Sequence, residues 1–208
     1  MSFRKEEKLR VASSKIFHLK KWVNDNGGGV LHPTRKINSI YFDNVDFSMY
    51  NQSIEGVVPR KKIRLRIYEK EFHFHNNQKI NKEIKITSAE GKYKTSKLIK
   101  NPLDLLNLGI FDNDYGFCYP VINIIYQRSY YKIKDIRLTI DEKIAYKKIV
   151  DKKVSKLSTF DNYNIVELKY TPRQSEDIVF RNFPFERIRF SKYCRGVEFM
   201  KLNYCNEL

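Results

Sequence analysis

The sequence predicts an α+β fold dominated by strands, eight of them and mostly antiparallel, with a few peripheral helices. Two observations carry this. Apolar and polar residues alternate with a period of two along many short runs, as in strands with one face in an apolar core. Segments with helical spacing are few and short. Eight such strands can close into a barrel, which removes exposed sheet edges. They fall near 3–11, 37–43, 60–69, 79–87, 121–131, 135–146, 163–170 and 185–190. With 208 residues and no low-complexity linker, the span 1–208 reads as a single domain able to bury a real core.

The first strand carries Arg4, Glu6, Lys8 and Arg10 on one face. Ser13 or Ser14 then caps a helix with Ile16, Leu19 and Val23 on one side, stopped by Asn24-Asp25-Asn26-Gly27-Gly28. Gly27-Gly28-Gly29 lacks the Gly-Lys-Ser/Thr ending of a phosphate-binding loop and follows a helix, so it reads as a flexible connection. In strand 60–69, Ile63, Leu65 and Ile67 share one face; Lys62, Arg64 and Arg66 share the other. His73 and His75 sit in a polar turn and read as a solvated hairpin rather than a metal pair. Glu83 and Lys85 alternate with Ile84 and Ile86. Asn101-Pro102 begins a short helix that Gly109 terminates. Tyr126 and Arg128 stand two apart. Arg137, Thr139 and Asp141 alternate with Ile136, Leu138 and Ile140, as Glu167 and Lys169 do with Val166 and Leu168. Thr171-Pro172 opens a further helix, and Ser191 caps a last one through Met200.

Lys and Arg number 40 against 24 Asp and Glu, a net charge of +16. That field points to anionic partners: nucleic acid, a lipid surface or phosphorylated molecules. A solvated sheet face would mix in Ser, Thr, Asn and Gln, but here Arg and Lys recur on strand after strand. Turned inward, such faces need an offset, because two like charges about 4 Å apart repel by roughly 4 kcal/mol at an effective dielectric near 20. A polyanion supplies it. Arg forks match phosphate oxygens, Lys adds a movable charge, and carboxylates among them suit Mg²⁺ or Mn²⁺. The cysteines Cys118, Cys194 and Cys205 are too sparse for a disulfide framework or a zinc site. No run approaches the roughly 18–20 apolar residues of a membrane span, so a cytoplasmic protein with reduced thiols is expected.

In their order these motifs resemble the catalytic domain of the vacuolar transporter chaperone (VTC) polyphosphate polymerases, within the triphosphate tunnel metalloenzyme superfamily. The matching pieces are Arg4-Lys5-Glu6-Glu7-Lys8, Ser39-Ile40-Tyr41-Phe42-Asp43, Arg60-x-Lys62-x-Arg64-x-Arg66-x-Tyr68 and Glu83-Ile84-Lys85. They continue with Tyr126-x-Arg128, Arg137-Leu138-Thr139-Ile140-Asp141, Glu167-Leu168-Lys169 and Ser191-Lys192-Tyr193. Asn44 stands where threonine is common, a change expected to be harmless.

The resemblance implies a closed, eight-stranded antiparallel tunnel that transfers the terminal phosphoryl group of ATP to a growing polyphosphate chain. It implies catalytic roles for Arg64, Arg66, Arg128 and Arg137, and substrate binding by Lys8, Lys62, Lys85, Lys97, Lys169, Lys192 and Tyr126. Glu167 becomes the ligand of Mn²⁺ or Mg²⁺, with Glu83 and Glu6 as further candidates. Fungal relatives carry membrane helices and a phosphate-sensing domain that this sequence lacks, which leaves room for a separate membrane partner. The alternatives are an inorganic tri- or polyphosphatase of the same fold, or a non-catalytic barrel binding RNA or polyphosphate. In the RNA reading, Tyr41, Tyr68, Tyr126, Tyr130 and Tyr131 would stack on bases; otherwise they pack.

Overall fold

The computed structural model describes residues 5–69, 72, 78–171 and 186–204. In chain order the elements begin with β1 (Lys5–Ala12), α1 (Ile16–Asp25), β2 (Gly29–Asp43), α2 (Ser48–Glu55), β3 (Arg60–Ile67), β4 (Ile80–Thr87) and β5 (Lys92–Ile99). Then come α3 (Pro102–Leu108), β6 (Ile110–Asp112), β7 (Gly116–Ile133) and β8 (Ile136–Val150). The last are β9 (Lys153–Val154), β10 (Thr159–Phe160), β11 (Tyr163–Tyr170), β12 (Glu186–Arg187) and α4 (Lys192–Tyr204).

The expected closed eight-stranded barrel is corrected. Among the described residues the sheet has twelve strands and is open; nine follow the order β12-β1-β11-β8-β7-β2-β3-β4-β5, while β6 pairs with β7, and β9 and β10 pair with β8, off this path. The physical reason is visible at β5, which is exposed along nearly its whole length and studded with Lys92, Lys94 and Lys97. Lysines along an edge protect it from pairing with another chain. The run 92–99 has no apolar face to bury, so alternation gave no strand there.

The chain divides into two compact units, and it passes from one to the other within β2, β7 and β8. The first comprises residues 1–36, 126–144 and 160–190. Its core joins Leu9 and Val11 of β1 with Leu138 and Ile140 of β8 and Val166 and Leu168 of β11. Helix α1 covers this face with Ile16, Leu19 and Val23, as its spacing predicts. Each such burial contributes about 1.5–3 kcal/mol. No serine caps α1: Ser13 and Ser14 lie in a 3-10 turn before it, and Ser13 Oγ accepts from Asn164 Nδ2 at 3.1 Å. The glycine run is also more than a flexible connection. A Cβ on Gly28 would stand 2.6 Å from Ile133 Cγ1 and from the Val23 carbonyl oxygen, so only glycine lets the helix end meet β7.

The second unit comprises residues 37–125, 145–159 and 191–208. Ile63, Leu65 and Ile67 of β3 are fully buried, and the alternate face carries the charges. The sequence reading missed α2. Its first N–H groups are taken by Asp43, which accepts from Met49 N at 3.0 Å and Tyr50 N at 3.0 Å, and by Asn44, whose Oδ1 accepts from Ser48 N at 2.9 Å. Asn44 therefore serves as a capping side chain. Helix α3 starts at Pro102 and stops before Gly109 as expected. At α4 the predicted Ser191 cap is present, its Oγ accepting from Cys194 N at 3.3 Å. Cys118 and Cys194 are buried free thiols. The helix expected from Thr171-Pro172, the His73–His75 turn and Cys205 lie outside the described residues, apart from Thr171 itself. No described helix is long and apolar enough to cross a membrane.

Candidate functional site

In the second unit the antiparallel register aligns Tyr41 with Arg64 and Arg64 with Glu83, and Lys62 with Lys85 and Lys85 with Lys94. Cross-strand partners share a face, so these side chains gather on one side of the sheet. Glu83, only 3% exposed, lies at the centre. It accepts from Arg64 Nε at 2.7 Å and from Lys94 Nζ at 2.5 Å, with Arg66 Nη1 at 3.5 Å. Burial pushes the Glu83 carboxyl up, but Arg64 and Arg66 outweigh it and hold it at about 2. Arg64 Nη1 also donates to the Tyr41 hydroxyl at 2.7 Å, and Arg66 Nε to Ser39 Oγ at 3.2 Å. Against its complete burial, the Tyr41 phenol is drawn down to about 8 by Arg64 and Arg66.

A second layer supports these groups. Tyr41 stacks on Tyr193 of α4, centroids 5.2 Å apart. Tyr193 donates to Asp43, and burial together with the Asp43 charge keeps its phenol protonated. Lys62 Nζ donates to Ser191 Oγ at 2.8 Å and lies 3.9 Å from Cys194 Sγ. Its ammonium is destabilised by burial first, then by Lys85 and Arg60. An anion arriving here would relieve that penalty.

In the first unit the register lays out two rows across β1, β11 and β8: Lys8–Glu167–Thr139 and Glu6–Lys169–Arg137. Lys169 Nζ is 2.8 Å from Glu167, and Lys8 Nζ is 3.9 Å from Glu6. Lys8 also donates to the Phe190 carbonyl at 2.6 Å. Arg128 clamps Asp141 through both Nε, at 2.5 Å, and Nη2, at 2.6 Å. Burial works against the Glu167 charge, yet Arg128, Lys169 and Lys8 hold the carboxyl well below the usual range. The buried Thr139 hydroxyl, beside Glu167 in register, has no hydrogen-bond partner among the described residues.

The sequence-predicted residues thus fall into two groups. Lys62, Arg64, Arg66, Lys85 and Glu83 meet in the second unit; Lys8, Glu6, Arg128, Glu167 and Lys169 meet in the first. Tyr126 is buried beneath Arg128, whose Cζ is 5.3 Å from its ring. Arg137 is exposed at its strand end, over the Tyr130 ring at 5.9 Å. Lys192 opens α4, half-buried. Lys97 does not join its group: it pairs with Lys82 on the other face of β4–β5, and Lys94 reaches Glu83 instead. Sequence reading overlooked Lys94, Asp141 as the Arg128 partner, and the Tyr41–Tyr193–Asp43 chain. Parity puts Lys94 and Asp141 on alternating faces of their own strands, but only register brings them to Glu83 and Arg128. Tyr41, Tyr126 and Tyr130 are buried and offer no face to a base; Tyr68 is exposed.

No cluster of three or more His, Cys, Asp or Glu side chains occurs among the described residues. A divalent ion would therefore rely on one or two carboxylates and substrate oxygens, the usual habit of Mg²⁺. Glu167 fits that role, ionised and next to an unpartnered hydroxyl. Glu83 fits poorly, since three cations already share its oxygens.

Comparison with known proteins bears on the fold and the family. A protein from Vibrio parahaemolyticus named as a candidate adenylate cyclase superposes with a TM-score of 0.54 at 12% identity, covering 91% of this chain and 95% of that one. A protein from Pyrococcus horikoshii OT3 gives 0.49 at 14% identity over 86% and 90% of the two chains. A chain of the Schizosaccharomyces pombe Mediator head module gives 0.49 at 12% over 86% and 87%. The first of these shows a shared fold. No curated protein matches the sequence. The VTC domain family matches it over residues 3–115 and 111–201, and the chain belongs to that family, within the triphosphate tunnel superfamily.

Proposed function

We propose that the chain is a polyphosphate polymerase, transferring the terminal phosphoryl group of ATP to a phosphate or polyphosphate end. One observation carries the reading: among the described residues of the β3–β5 face, Lys62, Arg64, Arg66, Lys85 and Lys94 stand on the same side as one carboxylate, Glu83. That excess of positive charge is costly until a polyanion enters. Membership of the VTC family supports the choice of substrate.

Phosphoryl transfer asks for alignment and charge neutralisation more than covalent help. Arg64 presents a planar fork fixed by Tyr41 and Glu83, and Arg66 is fixed by Ser39. Lys62, Lys85 and Lys94 add mobile charges for successive phosphates. In the first unit Arg128 and Lys8 would bind phosphate beside Glu167, with the register partners Arg137 and Lys169 adding charge. When Mg²⁺ or Mn²⁺ is bound, it neutralises charge on substrate oxygens, and Glu167 would hold it, with Thr139 beside it. No side chain is needed as a nucleophile, since the acceptor phosphate attacks.

Incubation with ATP and Mn²⁺, followed by gel sizing, should yield a polymer that lengthens with time. Arg64→Ala/Arg66→Ala should lower that rate at least a hundredfold while the variant stays folded. Release of orthophosphate alone would identify a phosphatase, and full activity in the variant would remove the cationic face from the mechanism.

A further inference from the structure

Ser39 and Tyr41 of β2 face the arginines, so Asn38 and Ile40 project from the opposite side of the strand. A cavity of about 410 Å³ opens on that side, within the second unit. This lies at the small-ligand end of binding sites, which run from roughly 300 to 1,000 Å³. Its wall is apolar, formed by Ile40, Ile125, Ile149 and Val154 with Leu106 of α3. The buried Asn38 and Asn123 line it too, Asn123 Nδ2 donating to Asn38 Oδ1 at 2.5 Å.

Four lysines stand around the cavity: Lys147 on β8, Lys152 and Lys153 at the β8–β9 hairpin, and Lys156 beyond it. Among the described residues none of the four has a carboxylate within ion-pair distance. The hairpin that presents two of them is tightly held. Asp151 and Lys152 take left-handed φ of 46° and 63°, and Val150 pairs with Lys153 across the two-residue turn. The turn thus sets the backbone positions of Lys152 and Lys153 beside the cavity.

We infer that this cavity binds a phosphate monoester with an apolar body, the body against the isoleucines and the phosphate among the lysines. A purely apolar ligand would leave four cations unbalanced. Free phosphate would leave the apolar wall wet. The site lies on the other face from Arg64 and Arg66, so it stands whether or not the polymerase reading holds.

Calorimetric titration of the full chain with octyl phosphate, AMP and inorganic phosphate tests this. At least one ester should bind saturably and at least tenfold more tightly than inorganic phosphate; octyl phosphate would identify an alkyl body and AMP a nucleoside. Lys152 and Lys153 are exposed, so Lys152→Gln/Lys153→Gln should keep the parental melting temperature and weaken the ester at least tenfold. Arg64→Ala/Arg66→Ala should leave ester binding unchanged. Absence of saturable ester binding, parity with inorganic phosphate, full binding by the lysine variant, or loss in the arginine variant would each overturn the site.

Discussion

In the first unit the cations stand beside carboxylates: Arg128 with Asp141, Lys169 with Glu167, Lys8 with Glu6. In the second, Glu83 serves Arg64, Arg66 and Lys94 at once, with Lys62 and Lys85 on the same face. Both faces arise from the same period-two alternation on paired strands. What differs is the ratio of signs. A balanced face satisfies itself and fixes geometry, whereas a cation-rich face stores repulsion that an anionic ligand can release. In the proposed function, the first face would offer an ionised carboxylate to a metal ion, and the second would hold a chain of phosphates.

The largest difference should appear in stability. Arg128→Ala removes the two-point clamp on Asp141, which is 0% exposed, and should cost about 3–5 kcal/mol. Arg64→Ala leaves Glu83 with Arg66 and Lys94 and relieves crowding, so its loss should be clearly smaller than that of Arg128→Ala. Urea unfolding of both variants checks this, and equal losses would break the contrast. A smaller effect follows from acid. Glu83 sits at about 2 in the fold against 4.5 unperturbed. Its contribution is fully present above pH 4.5 and lost as pH falls through about 2. Glu83→Gln should flatten that part of the stability–pH curve, by up to about 3 kcal/mol. The smallest signal is spectroscopic. Of 14 tyrosines, Tyr41 should ionise near pH 8, a step absent in Tyr41→Phe and shifted upward when tripolyphosphate draws Arg64 and Arg66 away from it.

Much of this was legible because alternation records a side chain's face without knowing its neighbours. Ile63 against Arg64, and Val166 against Glu167, are assigned by parity alone. Pairing is not recorded that way. Nothing local to Arg128 names Asp141, and nothing near Glu83 says that Lys94 rather than Lys97 will reach it; register decides both. Strand β5 escaped because an exposed edge needs no apolar face. Helix α2 escaped because it is one short segment burying only Met49 and Ser53, although Asp43-Asn44 before it is a start signal and Gly56 after it a stop signal. The closed barrel was an expectation of both the strand count and family likeness, and the lysine-rich edge of β5 is the local feature that speaks against it.

Thermal unfolding with and without tripolyphosphate tests the cation-rich face most directly. Binding to the folded state alone should raise the melting temperature of the parent chain with rising ligand, and Arg64→Ala/Arg66→Ala should lose most of that rise. A parent chain whose melting temperature ignores millimolar tripolyphosphate, or a variant that gains as much as the parent, would contradict the account.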